Sequence, residues 1–235
     1  PAQFDLTATI ETVAGLSWSY ASNDEITIFD GKNVNQFVTV DGGSSAVFSG
    51  LANKNADALM AVYPSTTKGR YQGKVDATVP SVQNGVNGGV DKSNLVLAAY
   101  KKNDGQNVLD FKNMLSFVKI VIAAEDDIVS VELKSNAGEK LSGAVNVGLF
   151  ESPTIEALET SSQSVTLYGD PLDGTYYFAV IPQTLAQGYT LNFINSDDFR
   201  SSVSSSEEIA FERAKITEIS FNADKLGWVA PVNPN

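Results

Sequence analysis

The side chains of this chain that could do chemistry carry oxygen or an aromatic face. The adjacent acids Asp126-Asp127 and Asp197-Asp198, with Asp170 or Asp173, have the makings of a general acid and base or of an oxygen-ligated calcium site. Asn53-Lys54-Asn55-Ala56-Asp57 has the alternating oxygen spacing of a calcium loop. It lacks the turn glycine that should follow, and Pro64 stands where the bidentate Glu belongs. Trp18, Trp228, Tyr176 and Tyr177 could stack on sugar rings, although alternation along Tyr176-Tyr177-Phe178 sends adjacent tyrosines to opposite sides. Asn84-Gly85-Val86-Asn87-Gly88-Gly89 lacks the Lys and the helix start of a phosphate loop, so it reads as a connection between strands. Both acid pairs stand in turn-like segments, where Asp bonds its own backbone. No catalytic, metal or cofactor residue is assigned, and none is expected.

Composition removes whole classes of chemistry. With no His and no Cys in 235 residues, there is no Ser-His-Asp or Cys-His nucleophile, no zinc site of the usual ligands, no His or Cys haem ligand and no iron–sulfur cluster. The 28 acidic residues against 16 basic ones give a net charge of −12, which repels phosphate backbones and anionic lipid surfaces, so nucleic acid is not an expected partner. The longest apolar run, Phe117 to Ala124, is interrupted by Lys119 and is far short of a membrane span. The chain opens at Pro1 with no initiator Met and no signal segment, and is expected to be a mature or trimmed product. The absence of Cys fits an exported bacterial protein.

Whatever these residues do, strands must position them. Period-two alternation recurs at Phe4, Leu6, Ala8 and Ile10, at Ile26 and Ile28, and at Val129, Val131 and Leu133. Turn clusters such as Asp41-Gly42-Gly43-Ser44, Asp104-Gly105 and Asp170-Pro171-Leu172-Asp173-Gly174 separate the bursts. The expectation is an all-β chain with one short helix over Ser152 to Thr160, where Pro153 follows a capping Ser.

An internal echo sets the domain count. Val47-Phe48-Ser49-Gly50, Ala61-Val62-Tyr63-Pro64 and Tyr71 recur as Leu167-Tyr168-Gly169, Ala179-Val180-Ile181-Pro182 and Tyr189. The Ala-Val-x-Pro tetrads lie 118 positions apart, about half the chain, and predict two similar domains in tandem: 1-106 and 107-235, with the seam in Lys101 to Gln106. On this reading Val47 to Tyr71 and Leu167 to Tyr189 are equivalent strands.

Several separated motifs have a familiar order. Trp18 precedes Asp24-Glu25-Ile26-Thr27-Ile28-Phe29; then come Phe48-Ser49-Gly50 and Ala61-Val62-Tyr63-Pro64; then Leu109-Asp110-Phe111-Lys112-Asn113-Met114-Leu115-Ser116-Phe117-Val118-Lys119-Ile120. In these the chain resembles the fimbrillin-like family, the surface lipoproteins and type V pilus subunits of Gram-negative anaerobes. Asn23 stands where that family usually has Gly, and Asn113 replaces a His. The resemblance implies two tandem transthyretin-like β-sandwich domains and a lipid anchor in the precursor. It further implies a place at the cell surface, in the outer membrane or a fimbria, and a non-enzymatic role as pilus subunit or adhesin, with other pilin subunits as partners. A glycan-binding surface lipoprotein, recognising host or bacterial surface ligands, is the alternative, and a carboxylate-only hydrolase or lyase stands third.

Two segments are singled out for strand addition between subunits. Phe4, Leu6, Ala8 and Ile10 put an apolar face on a first strand that a pilin could lose to open an acceptor groove. No Arg precedes Arg70 and no Lys precedes Lys32, so an Arg-directed cut after this strand has no target, and the strand is expected to be integral. At the other end, Leu226, Trp228, Ala230 and Val232 fall on one side of an extended tail and Gly227, Val229 and Pro231 on the other, as a donor segment with Trp228 as anchor would require. The alternative is a tail packed on its own domain or loose. Tyr63, in a strand reading as core, gives a first prediction. Tyr63→Ala should cost about 3 kcal/mol or more, as large aromatic truncations do, and an unchanged thermal melt would refute it.

Overall fold

The computed structural model describes residues 1–232, and these form an all-β chain. In chain order the strands are β1 (Ala2–Ile10), β2 (Glu25–Phe29), β3 (Val34–Thr39), β4 (Ser45–Ala52), β5 (Ala58–Tyr63), β6 (Lys74–Val79) and β7 (Val82–Asn84). They continue as β8 (Leu97–Lys102), β9 (Val108–Asn113), β10 (Ser116–Ile122), β11 (Ile128–Ser135), β12 (Gly143–Gly148) and β13 (Thr154–Ala157). The last are β14 (Ser164–Tyr168), β15 (Gly174–Val180), β16 (Gln183–Leu185), β17 (Tyr189–Asn195), β18 (Arg200–Ser205), β19 (Ile209–Phe211) and β20 (Ile216–Glu218).

Two compact units share these strands, and neither is one stretch of chain. The first takes Pro1–Thr78, Leu95–Met114 and Ala144–Leu158; the second takes Val79–Asn94, Leu115–Gly143 and Glu159 onward. Lys101 to Gln106 therefore lies inside the first unit, because β8 and β9 are two of its barrel strands. The helix expected over Ser152 to Thr160 is instead β13, paired with β12 from Val145↔Ala157 to Gly148↔Thr154. A stretch under three turns long gains too little from helical bonding to resist a ladder partner.

In the first unit seven strands close a barrel in the order β1-β4-β3-β2-β5-β8-β9, and parallel pairing of β1 with β9 seals it. Alternation supplies the interior: Leu6, Ala8, Phe37, Phe48, Leu109 and Phe111 are at most 1% exposed. Tyr20 meets Phe48, Tyr63 and Phe111 edge-on at ring distances of 5.0, 5.6 and 6.4 Å. Gly50 is required there, since a Cβ on it would run into the Phe37 ring. Tyr63 is buried as expected, whereas Tyr71 is exposed and Tyr189 half-buried.

In the second unit a three-stranded sheet, β15-β10-β20, and a five-stranded sheet, β18-β17-β11-β14-β7, share one core. Ile120 and Phe178 from the first sheet and Val131, Leu167, Leu191 and Phe193 from the second belong to it. The buried Gln83 amide acts as an extra ladder rung: its Nε2 donates to the Ala179 carbonyl at 2.8 Å and its Oε1 accepts from the Ala179 N–H at 3.0 Å.

The units repeat one topology. β10, β15, β14, β11, β17, β18 and β20 hold the places of β1, β4, β3, β2, β5, β8 and β9, with the same pairings, parallel first-to-last strands included. Two seams differ. β3 pairs with β4 and β8 with β9, while neither β14 with β15 nor β18 with β20 forms a ladder, so one unit closes as a barrel and the other opens into two sheets. The tetrads that suggested the repeat are not its equivalent strands. Ala61 to Pro64 ends β5, the fifth strand of its unit, whereas Ala179 to Pro182 ends β15, the fourth. Both are central strands stopped by Pro, a pattern that recurs wherever such a strand ends.

Asp30, 2% exposed, pins one end of the barrel. Its Oδ1 accepts from the N–H groups of Lys32 at 3.0 Å and Asn33 at 2.7 Å, and its Oδ2 from the Asn53 N–H at 2.8 Å and the Asn35 amide at 3.0 Å. Burial alone would raise this carboxyl's pKa, but the three backbone donors outweigh it and hold the pKa well below the usual carboxylate range. A folded-state pKa below the unfolded one means that the stabilisation is fully present above about pH 4 and fades as pH falls toward the folded value. We expect Asp30→Asn to cost about 2 kcal/mol at neutral pH, with the wild-type advantage shrinking below about pH 4 in paired thermal melts. An advantage that grew in acid would refute the assignment.

Candidate functional site

The first strand is laddered on both sides within its unit. β1 pairs antiparallel with β4 from Ala2↔Ala52 to Thr9↔Ser45 and parallel with β9 from Thr7↔Val108 to Ile10↔Phe111. Leu6 and Ala8 are fully buried; Phe4 and Ile10, toward the ends, are half-buried. The outward side chains tie the same neighbours. Ser49 Oγ donates to Asp5 at 2.7 Å, and that bond lowers the Asp5 pKa; Thr9 Oγ1 donates to Asp110. Just beyond the strand, Glu11 accepts from the Asn113 N–H at 2.9 Å. Withdrawing β1 would unmask a slot with β4 on one side and β9 on the other.

The tail divides in two. Leu226 is buried in the second unit's core, and Trp228 packs half-buried against it. Val229 and Arg200 exchange backbone hydrogen bonds of 2.8 and 2.9 Å, so the tail adds one rung beside β18. Ala230, Pro231 and Val232 project into solvent, Val232 at 91% exposure, and Asn233 to Asn235 lie outside the described residues. The proposed anchor and the proposed free end thus sit in different surroundings.

The sequence's other candidates do not assemble. Among the described residues no three acids come together as a metal site. Asp127 and Asp198 occupy positive-φ turn positions, and Asp126 has its carboxyl pKa raised, first by burial and then by Glu125 and Asp224. In the Asn53 loop, Asn53 Oδ1 accepts from the Asn55 N–H at 3.1 Å, which is turn formation. Tyr176 and Tyr177 are both buried, so neither offers a sugar-stacking face. Trp18 lines a small cleft of about 160 Å³ with Val13 and Leu16.

A larger feature was not singled out in the sequence. On the outward side of β18-β17-β11-β14 lies a cleft of about 490 Å³ lined by Ser130, Glu132, Thr166, Tyr168, Asn192 and Arg200 among others. Ser202 Oγ donates to Asn192 Oδ1 at 2.7 Å, and Asn192 Nδ2 donates to Glu132 Oε1 at 2.7 Å. The sequence signal is alternation seen from its polar side: Ser130 and Glu132 interleave with Val131 and Leu133, and Thr166 with Val165 and Leu167. Only strand register brings the rows together.

No protein-family model and no curated protein matches the chain. Solved structures do. A candidate cell adhesion protein from Bacteroides uniformis is 15% identical, with a TM-score of 0.64 over 96% of this chain and 95% of its own. A candidate cell adhesion protein from Bacteroides ovatus is 14% identical, with a TM-score of 0.59 over 98% and 96%. The C-terminally truncated tip fimbrial protein Mfa3 of Porphyromonas gingivalis reaches a TM-score of 0.44 at 8% identity over 97% of each chain. The first two establish that this two-unit fold is shared along its whole length.

The two halves of the tail are separable by deletion. Removing everything from Leu226 should destabilise the second unit by about 3 kcal/mol, because Leu226 and Trp228 leave its core, whereas removing only the residues from Ala230 onward should leave the melt unchanged. Equal melts for both deletions would show that the tail does not belong to that core.

Proposed function

We propose that this chain is a non-enzymatic, fimbrillin-like cell-surface protein, a fimbrial or adhesion subunit that joins other pilin subunits by strand addition. The observation that carries the reading is the placement of β1. β1 fills a slot between β4 and β9 with an apolar face buried, and a connection outside any named strand, residues 11 to 24, follows it. Such a strand is replaceable by another of the same pattern, and main-chain bonding would hold the newcomer without demanding its sequence. The fold shared with the two Bacteroides candidate adhesion proteins and the order of the sequence motifs support the surface role. Within this reading the second unit's two sheets are the transthyretin-like sandwich, the closed barrel is its variant, and a lipid anchor in the precursor ties the protein to the outer membrane.

The tail is the donor. It starts docked on its own unit through Leu226 and Trp228, so donation trades that packing for the neighbour's slot, with Trp228 as anchor in both places. With no Arg or Lys between residues 1 and 31, the cut that frees β1 uses another specificity, acting on the connection that contains Ala14 and Gly15.

A protease site engineered between Ala14 and Ser17 tests this. Cutting should release the first strand and yield linear polymers by light scattering and electron microscopy, an excess of peptide spanning β1 should suppress them, and a chain lacking its tail should stay monomeric. A cut protein that releases β1 yet remains monomeric, or that polymerises equally without its tail, would overturn the proposal.

A further inference from the structure

We propose that the cleft on the outward face of the second unit's five-stranded sheet binds a neutral oligosaccharide, with Tyr168 as the stacking platform and the Ser202, Asn192 and Glu132 row reading hydroxyl groups. The proposal rests on the adhesion reading and supplies it with a ligand. Register aligns Ser202, Asn192, Glu132 and Thr166 in one row across β18, β17, β11 and β14, and Arg200, Ile194, Ser130 and Tyr168 in the next. All but Ile194 are polar or charged, Ser130 being buried among them.

The hydrogen bonds within the first row fix its polarity. Asn192 spends its carbonyl on the Ser202 hydroxyl and one amide hydrogen on Glu132 Oε1, so its orientation is set before any ligand arrives. Both residues line the cleft, and these bonds leave Glu132 with acceptor capacity on Oε2 and Asn192 with a second amide hydrogen. A donor beside an acceptor is the pattern that matches neighbouring hydroxyls on a sugar ring. Tyr168, 46% exposed, stands two strands from β17 and offers the aromatic face that such a ring packs on. The volume lies in the range of small-ligand sites.

Charge selects against acidic ligands. Exposed sheet faces are often laced with opposite charges across strands, and this protein does make such pairs elsewhere, as between Lys119 and Glu218. Glu132 makes none among the described residues; its bond is to an amide. Within the cleft one carboxylate, Glu132, stands against one cation, Arg200, so no net positive charge gathers there to hold an anionic glycan or phosphate against the chain's net charge of −12.

The test is calorimetric titration of the full chain with short malto-, cello-, manno- and galacto-oligosaccharides, alongside oligogalacturonate. At least one neutral series should bind with a Kd between micromolar and millimolar. Tyr168→Ala, Asn192→Ala and Glu132→Gln should each weaken it by about tenfold or more, since each removes a stacking surface or a hydrogen bond to a charged or fixed group. Tyr168→Phe should retain binding, as should Tyr71→Ala on the first unit, and matching thermal melts would establish that the variants fold. No binding by any neutral series, binding of oligogalacturonate alone, or binding indifferent to all three substitutions would overturn the proposal. Scoring polymerisation on the same preparations separates the two readings: sugar binding lost with assembly intact sinks this site alone, and sugar binding retained without assembly leaves the site standing while the subunit reading fails.

Discussion

Four residue pairs, Thr7↔Val108 to Ile10↔Phe111, run parallel between the first and last strands of the barrel, and the first unit's architecture depends on them. A parallel ladder cannot be made by a hairpin, so the chain must complete the whole circuit before these bonds can form. Once formed, they give every barrel strand a paired neighbour on both sides, which matters for a chain with exposed valines on its outer wall, such as Val47 and Val108. Asp30 acts on the same ring from another point, binding the turn after β2 and the exit from β4 through one buried carboxylate.

The second unit shows what happens when the same circuit is only partly sealed. Its β10 and β20, which hold the places of β1 and β9, keep the parallel pairing, but β14 and β15 part, and two sheets must then bury their faces against each other. Large side chains do this work, among them Phe178 and Phe193, with Leu226 and Trp228 from the tail covering what the strands leave open. The parting also leaves the outer side of the five-stranded sheet as a separate polar surface, where Ser, Thr and Asn bond to one another.

Much of this could be read from residue order. The alternation of Phe4, Leu6, Ala8 and Ile10 is β1, and Val129, Val131 and Leu133 fall on β11, because period-two burial is a local property. The tetrads that suggested two similar domains do not mark equivalent strands. Ala61 to Pro64 and Ala179 to Pro182 share a local cause, a central strand stopped by Pro, and local causes do not reveal which place a strand holds in a sheet. The interleaving of the units was not legible, since β12 and β13 join the first unit from between strands of the second by long-range pairing. Tyr176 and Tyr177 deceived for a related reason: adjacent residues do point to opposite sides, but β15 is covered on both. The Asn192–Glu132 bond spans 60 positions, and no window along the chain contains it.

The parallel strand pairs also have a mechanical meaning. In a parallel pair such as β1 with β9, or β10 with β20, the start of one strand and the finish of the other lie at opposite ends of the ladder. Tension applied at those two points slides the strands along each other, and the ladder bonds carry the load side by side and must rupture together. Strands that begin and finish at the same end would instead be peeled apart one bond at a time. A pull between the start of β1 and the finish of β9, or between the start of β10 and the finish of β20, would load that pair as a shear joint.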